Sequence, residues 1–446
     1  MTDAAPRVAT RLAAKRAAAP QRLAVDVCVV GSGAAGAMAA LTAARLDRRT
    51  AIVEAAPTLG GQAVGALLGT ICGLYANGRA PLRVTRGAAD ALLADLHLQG
   101  LLQPRRARNS VILQYDETTW ARWVERSLAA AGVVPLTGAI LREARRGGHR
   151  IESLMLATRW GDMEVEAGGF VDASGDAAIA FHAGLAVREP ETPIWGSQLV
   201  VLEGIDEAAL AKMDRWAMQA VLRERGKRYG LKREDGFVFA FPGRGTAVAN
   251  MTHAATPADP LAAAAAQIEA RAEADRLLQF LRAEFPEALG RARIRSYGQL
   301  GIRQTRWIVG AHQLTVDEIR RGERFFDGPA GPAVARCAWP IELHDRAEGV
   351  HWEEFGDAHM HYVPLGSLVH RDADNLAAAG RCIDGDALAL SSVRVMGPCM
   401  AMGQAAAHIL DLAGQGSVHQ IDTAALTARL RDNLEGGVRD EWNAEL

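Results

Sequence analysis

Residues 23–40 read LAVDVCVVGSGAAGAMAA, and the fold follows from this stretch. Its first eight residues are a short apolar run rich in valine, the pattern of a strand buried in a parallel sheet. Gly31-Ser32-Gly33-Ala34-Ala35-Gly36 follows at once, and then an alanine-rich helical stretch to about Arg45. TAIVEA, at 50–55, is a second short strand and completes a βαβ unit. Gly31 permits the tight turn after the strand. Gly33 lets backbone N–H groups approach a pyrophosphate, and Gly36 lets the helix pack close to the strand. The helix start offers its partial positive charge to the phosphates. Glu54, followed by Ala55, ends the second strand, where a carboxylate can accept hydrogen bonds from ribose hydroxyls. An acid there disfavours a 2′-phosphate, so FAD or NAD is expected rather than NADP. The plainer alternative is a structural turn in an α/β protein.

The chain has 446 residues, enough for two intertwined domains. It is 49% hydrophobic and 23% charged, as in ordinary globular proteins, and its net charge of -2 argues against nucleic acid as a partner. The five cysteines, Cys28, Cys72, Cys337, Cys382 and Cys399, are scattered and never form a C-x-x-C pair. A disulfide framework or iron–sulfur cluster is not expected, and a reducing cytoplasm fits. Residues 1–20 are rich in Ala and Arg and lack the apolar core of a signal peptide. They read as a flexible N-terminus, with an organelle-targeting segment as the alternative. No run of roughly 18 uncharged apolar residues occurs, so no transmembrane helix is expected.

Farther along, residues 57–80 are glycine-rich, 117–131 look helical, and 133–171 read as short strands. From about 190 to 364 the character changes, with more Trp, Arg and His and one long helix near 260–285. This reads as an inserted substrate domain. NLAAAGR at 375–381 is a strand and glycine turn, a helix follows from about 398 to 412, and an amphipathic helix spans about 423–434. The expected organisation is a flexible segment at 1–20, one part of a cofactor domain at 21–189, the insert at 190–364, and the rest of the cofactor domain at 365–446.

Three further stretches accompany the first motif: Gly60-Gly61-Gln62, Val171-Asp172-Ala173-Ser174-Gly175-Asp176, and AGRCIDGDALALSSVRVMGPCMAMGQAAAHIL at 379–410. With them, nearly the whole chain resembles the FAD-dependent oxidoreductases that group with the fumarate-reductase and glutathione-reductase flavoproteins, some relatives of which carry a xanthan-lyase label. The resemblance implies an α/β fold: a Rossmann-type domain with a parallel sheet, helices and a three-stranded β insert, plus an inserted α+β domain with a mainly antiparallel sheet. It implies that Gly60, Gly61 and Gln62 lie against the ribityl–pyrophosphate part of FAD, and that Ala173, Ser174, Gly175 and Asp176 close the site near the adenosine. Ser174 stands where Thr is more usual. Gly380, Arg381 and Asp384 are expected near the ribityl chain. Arg394, Val395, Met396, Met400 and Ala401 are expected around the flavin-facing start of the last long helix. Reduced flavin is anionic at N1 and C2=O, and free N–H groups at a helix start near 398–402 can stabilise that charge. A Pro near the first helical position suits such a start. A second dinucleotide motif is not visible in the sequence, so a separate nicotinamide domain is not expected.

GIRQTRWIVG at 301–310 resembles a family segment in which Glu is usual where Gln304 stands. If it is a strand, Arg303 and Arg306 lie on opposite faces. Either arginine could bind an acidic substrate or polarise a carbonyl; the alternative is a structural tie between domains. Arg394 is placed near the pyrimidine ring or the substrate, or else in a structural salt bridge. His359-Met360-His361 on a strand would put two imidazoles on one face. An acid or base role is expected there ahead of a metal, with a hydrogen-bonded interface histidine as the alternative. Many relatives carry a His-Glu pair where Ala387-Leu388 stands, so chemistry done by that pair is not shared. No histidine precedes Gly60 in the position used for covalent flavin attachment, so FAD is expected to be non-covalent. Cys72 reads as a buried structural thiol, with attack on flavin or substrate as the alternative. The leading reading is therefore an FAD-dependent oxidoreductase that exchanges a hydride with a small substrate, an anion by the hint of the arginines. Oxygen, a quinone or a carrier protein would accept electrons, and the size is compatible with a homodimer. The alternatives are an NAD-linked dehydrogenase and a flavin-binding electron-transfer subunit active only with partner chains.

Overall fold

The computed structural model describes residues 19–79, 81–241 and 243–443. The N-terminal segment expected to be flexible lies, save for its last two residues, outside the described residues. Strand β1 (Gln21–Val30) runs through the middle of a sheet, its residues 27–30 buried. Helix α1 (Ala34–Arg45) leads to β2 (Thr50–Glu54), parallel to β1 with Val30 opposite Val53. β3 (Val134–Thr137) adds in parallel to the outer edge of β2. The chain then turns antiparallel through β4 (Ile140–Gly147) and β5 (Arg150–Thr158) into β6 (Gly161–Asp172), which lies parallel to β1.

β6 uses its far edge twice. Its first half pairs antiparallel with β5, from Gly161 opposite Thr158 to Glu166 opposite Ser153. Its last three residues pair in parallel with β7 (Leu376–Ala378), which returns from the far end of the sequence. The expected three-stranded β insert is thus the β4–β5–β6 meander, continuous with the parallel sheet. Buried Asn375 closes the seam between the two partners. Its Nδ2 donates to the carbonyls of Ile151 and Gly168, and its Oδ1 accepts from the Ile151 N–H at 2.9 Å.

Helix α2 (Met396–Ala413) packs on α1, and Gly403 makes the approach close: a Cβ there would lie 2.0 Å from the Ala35 carbonyl oxygen. The inserted region carries a four-stranded antiparallel sheet in the order Phe237–Phe241, Thr246–Asn250, Val200–Glu203, Arg293–Tyr297. The helix Pro260–Glu284 buries Ala274, Leu277, Phe280 and Leu281 in a core of its own with Val200, Leu202 and Ala249. Residues later in the same stretch, among them Val334, Cys337, Trp339, Ile341 and Val363, join the core around the parallel sheet. Helices Ala88–Leu98 and Arg215–Arg225 are additions to the sequence reading. Segment 301–310, whose face assignment depended on its being a strand, is one only at Trp307–Ile308, and the strand after His359 begins at His361. Among the described residues, no helix is long and apolar enough to cross a membrane.

Replacing Asn375 with Leu removes its bonds to the Ile151 N–H and to the Ile151 and Gly168 carbonyls, of which the Gly168 carbonyl still accepts from Arg150. Its cost is expected to be about 2–4 kcal/mol, at roughly 1–3 kcal/mol per orphaned group with partial relaxation. Urea unfolding of the variant beside the natural protein measures it; a loss under about 1 kcal/mol would show that the seam does not depend on this side chain.

Candidate active site

At the C-terminal end of β1 the backbone turns through Gly31 with φ +97°, and a Cβ there would lie 2.3 Å from the Ala173 carbonyl oxygen. Gly36 is equally constrained, since its Cβ would lie 1.9 Å from the Gly31 oxygen. Gly33 differs: nothing lies within 4 Å of where its Cβ would be. It caps α1 without a side-chain hydrogen bond, so the first N–H groups of the helix point past an open position. Such a helix start is a ready site for phosphate. Glu54 braces this loop. Its Oε2 accepts from the Ser32 N–H at 3.0 Å and the Ser32 hydroxyl at 2.6 Å, while Oε1 accepts from the Ala56 N–H at 3.0 Å. The Ser32 hydroxyl in turn accepts from the Gly60 N–H at 2.9 Å.

These groups open onto a cavity of about 510 Å³. Its wall holds Gly31, Ser32, Gly33, Ala34, Ala35, Glu54, Ala55, Gly61 and Gln62 from the first βαβ unit. Ala173, Ser174, Gly175 and Asp176 come from the turn after β6, and Gly380, Arg381, Arg394, Val395 and Met396 from the C-terminal part. The turn after β6 is held by Asp172, which accepts from the Ser174 hydroxyl at 2.6 Å and the Ile179 N–H at 2.7 Å. Cys382 takes the Gly175 N–H at 3.0 Å, and the Thr305 hydroxyl donates to Asp176. Arg381 donates to the Ile302 carbonyl. The inserted region closes the cavity with Ser197, Leu199, Asn250, Gln299 and Arg303.

The chain matches the model of the FAD dependent oxidoreductase family over residues 26–430. It belongs to that family. FAD is its cofactor, and the protein is an FAD-dependent oxidoreductase. The residues present fit FAD: an uncapped helix start behind Gly33, a carboxylate at the end of β2, and one continuous cavity reaching the start of α2. Solved structures similar to this flavoprotein include a geranylgeranyl bacteriochlorophyll reductase-like protein from Thermoplasma acidophilum, 13% identical with a TM-score of 0.48 over 93% of this chain and 86% of that one. The flavin-dependent brominase Bmp2 is 12% identical with a TM-score of 0.46 over 92% and 83%. PqsL from P. aeruginosa is 14% identical with a TM-score of 0.41 over 92% of each chain. No curated protein sequence matches the chain.

Several residues expected at the site lie elsewhere in the flavoprotein. Gly36 and Gly60 shape the loop from behind, off the cavity wall. Met400 and Ala401 are buried in the core beneath the start of α2. Asp384 is fully buried away from the cavity, accepting from Arg188 Nε and the Gly310 N–H at 2.9 Å each. Arg306 lies over the Phe181 ring at 3.8 Å, off the wall, so of the two arginines only Arg303 reaches the cavity. The irregular backbone from 302 to 306, rather than a strand, separates them. His359 stacks on Phe355 at 4.0 Å and contacts His361 at 3.2 Å, and His361 meets the Ser392 hydroxyl at 2.9 Å. His361 is wholly buried, which pushes its imidazole down to about 3 and keeps it neutral. Neither histidine lines the cavity. A residue that the sequence reading passed over, Glu342, does line it. The available signal was alternation, because Glu342 and His344 two residues on share a face at the end of the strand Ile341–Leu343.

Gly36→Val is expected to abolish flavin retention, since a larger side chain cannot share space with the Gly31 carbonyl. Glu54→Gln should weaken FAD binding about tenfold, the order of one charge-assisted hydrogen bond, ~1.4 kcal/mol. Equilibrium titration of stripped protein with FAD reads both; unchanged affinity would show, for Gly36→Val, that the loop does not depend on the glycine and, for Glu54→Gln, that the carboxylate does not serve FAD binding.

Proposed function

We propose that the enzyme passes a hydride between non-covalently bound FAD and a small organic anion held by Arg303 and Arg394. When bound, FAD supplies the two-electron redox chemistry. The observation that carries the anion is the pair of recessed guanidiniums on the wall of the cofactor cavity. Burial pushes Arg303 well below its ordinary value, with Arg233 and Arg394 adding repulsion. Burial also lowers Arg394, opposed by Glu342. Arginine keeps its charge even so, and two recessed cations attract an anion. A substrate carboxylate would supply the negative charge opposite these two cations.

Both arginines are aimed by backbone carbonyls. Arg303 donates to the Trp195 carbonyl at 2.6 Å and to the Ser197 hydroxyl at 3.0 Å, and Arg394 donates to the Glu342 carbonyl at 3.1 Å. Each guanidinium retains further N–H donors for a ligand. Their positions are set before a substrate arrives, which is what orientation in a redox step requires. Cys72 also lines the cavity, and burial first, then Glu342, raises its thiol far above the ordinary value. A thiol held protonated is a poor nucleophile, which supports non-covalent attachment. The described residues of the wall include no histidine, the other side chain that can link covalently to flavin. The free cysteines are compatible with a cytoplasmic location.

The purified protein should show flavin absorbance, and heat should release free FAD into the supernatant; colour retained by the precipitate would mean a covalent link. Acetate should perturb the bound flavin spectrum. Arg303→Met and Arg394→Met should each raise its Kd about 10- to 100-fold, the loss of one charge-assisted pair. A Kd that stays at the natural protein's value in both variants would refute an anion at this site.

A further inference from the structure

Behind Glu342 lies a chain of hydrogen bonds that leads away from the cavity. Glu342 Oε1 meets His344 Nε2 at 3.1 Å, His344 Nδ1 meets His253 Nε2 at 2.9 Å, and His253 Nδ1 meets the Ala347 carbonyl at 2.9 Å. Both histidines are fully buried, whereas the Glu342 side chain is 25% exposed. The second carboxyl oxygen of Glu342 accepts from the Trp339 indole N–H at 3.0 Å.

The far end of this chain fixes its proton count. A carbonyl can only accept, so His253 Nδ1 must carry a hydrogen. Burial, with Arg233 and Arg303 nearby, keeps His253 from becoming a cation, so its Nε2 is bare. His344 must then donate from Nδ1. Burial and the same arginines, with Arg394, likewise disfavour a second proton on His344. Its Nε2 would therefore present a lone pair to a carboxylate oxygen, which is repulsive. The 3.1 Å contact is a hydrogen bond only if one proton lies between Glu342 and His344, and that proton belongs to the pair. It cannot leave through the histidines, because the Ala347 carbonyl locks both tautomers. The open direction is the cavity.

We propose that Glu342 exchanges a proton with the substrate, and that His344 and His253 are positioning residues that keep one proton at the Glu342–His344 contact. This rests on the reading that an anionic substrate occupies the Arg303–Arg394 end of the cavity. Written as a reduction, the substrate carbon of a C=X bond receives a hydride, with its electron pair, from reduced flavin. X takes the proton from the Glu342–His344 pair as the π bond breaks. C–H and X–H bonds form, and the pair recovers its proton from water. Oxidation is the reverse: the pair first gives its proton to water, then takes one from X–H as the hydride leaves carbon for oxidised flavin.

The test is nuclear magnetic resonance on the FAD-loaded enzyme with 15N-labelled histidine. His253 and His344 are expected to carry hydrogen on Nδ1, and a strongly deshielded proton is expected at the His344 Nε2 contact. E342Q, whose amide can still donate to Nε2, should lose that resonance while keeping both Nδ1–H tautomers and the flavin spectrum. Acetate, added as the anion probe, should shift the resonance in the natural enzyme. A neutral His344 carrying hydrogen on Nε2 would overturn the proton count. Acetate that perturbs the flavin but not the resonance would overturn the proton's role toward the substrate. Acetate that leaves the flavin unchanged would instead overturn the anion reading, with the proton count still decided by the tautomers.

Discussion

The site depends on one close backbone approach. Gly31 is wedged between the end of β1 and the turn after β6, and Gly36 is pressed against the Gly31 carbonyl. Together they bring the start of α1 to the mouth of the sheet, with its leading N–H groups uncapped. Gly403 extends the same economy of space to the second helix, so α2 can pack against α1 and begin beside the cavity. A side chain at any of these points would force the helices outward and separate groups that must share one ligand. The parallel sheet supplies the rigid base, and the double use of the β6 edge lets β7 enter beside the motif from the end of the chain.

Around this frame, charge is placed where it is expensive and therefore specific. Arg303 comes from the inserted region and Arg394 from the C-terminal part, and each is oriented by a backbone carbonyl. In a recessed setting two like charges do not settle without an opposite one. Glu342 lies on the same wall and ends the histidine chain. On the proposed reading, anion binding and proton holding lie side by side on one wall, and neither draws on a single segment.

Local chemistry was legible wherever a residue's role depends on its own backbone. The glycine motif, the strand ending at Glu54 and the helices near 260–285 and 398–412 can be read because spacing and residue size dictate them. The placements of Asp384, Arg306, His359 and His361 could not be read this way. Each is a polar residue in a suggestive neighbourhood, and its use depends on partners far away in the chain. Asp384 is taken by Arg188 and Gly310, Arg306 by Phe181, and His361 by Ser392. Conversely, alternation with His344 is the local mark of Glu342, and its meaning comes from His253 and two arginines of other segments.

The sequence by itself therefore determined the dinucleotide turn, the class of fold and the family, since these rest on short-range geometry and on residues whose size is the message. Which polar groups face the cavity was decided only by tertiary structure. A charged side chain points to a ligand or to a neighbour according to which lets it keep its hydrogen bonds when water is removed. That competition is settled between segments hundreds of residues apart, where periodicity carries no information.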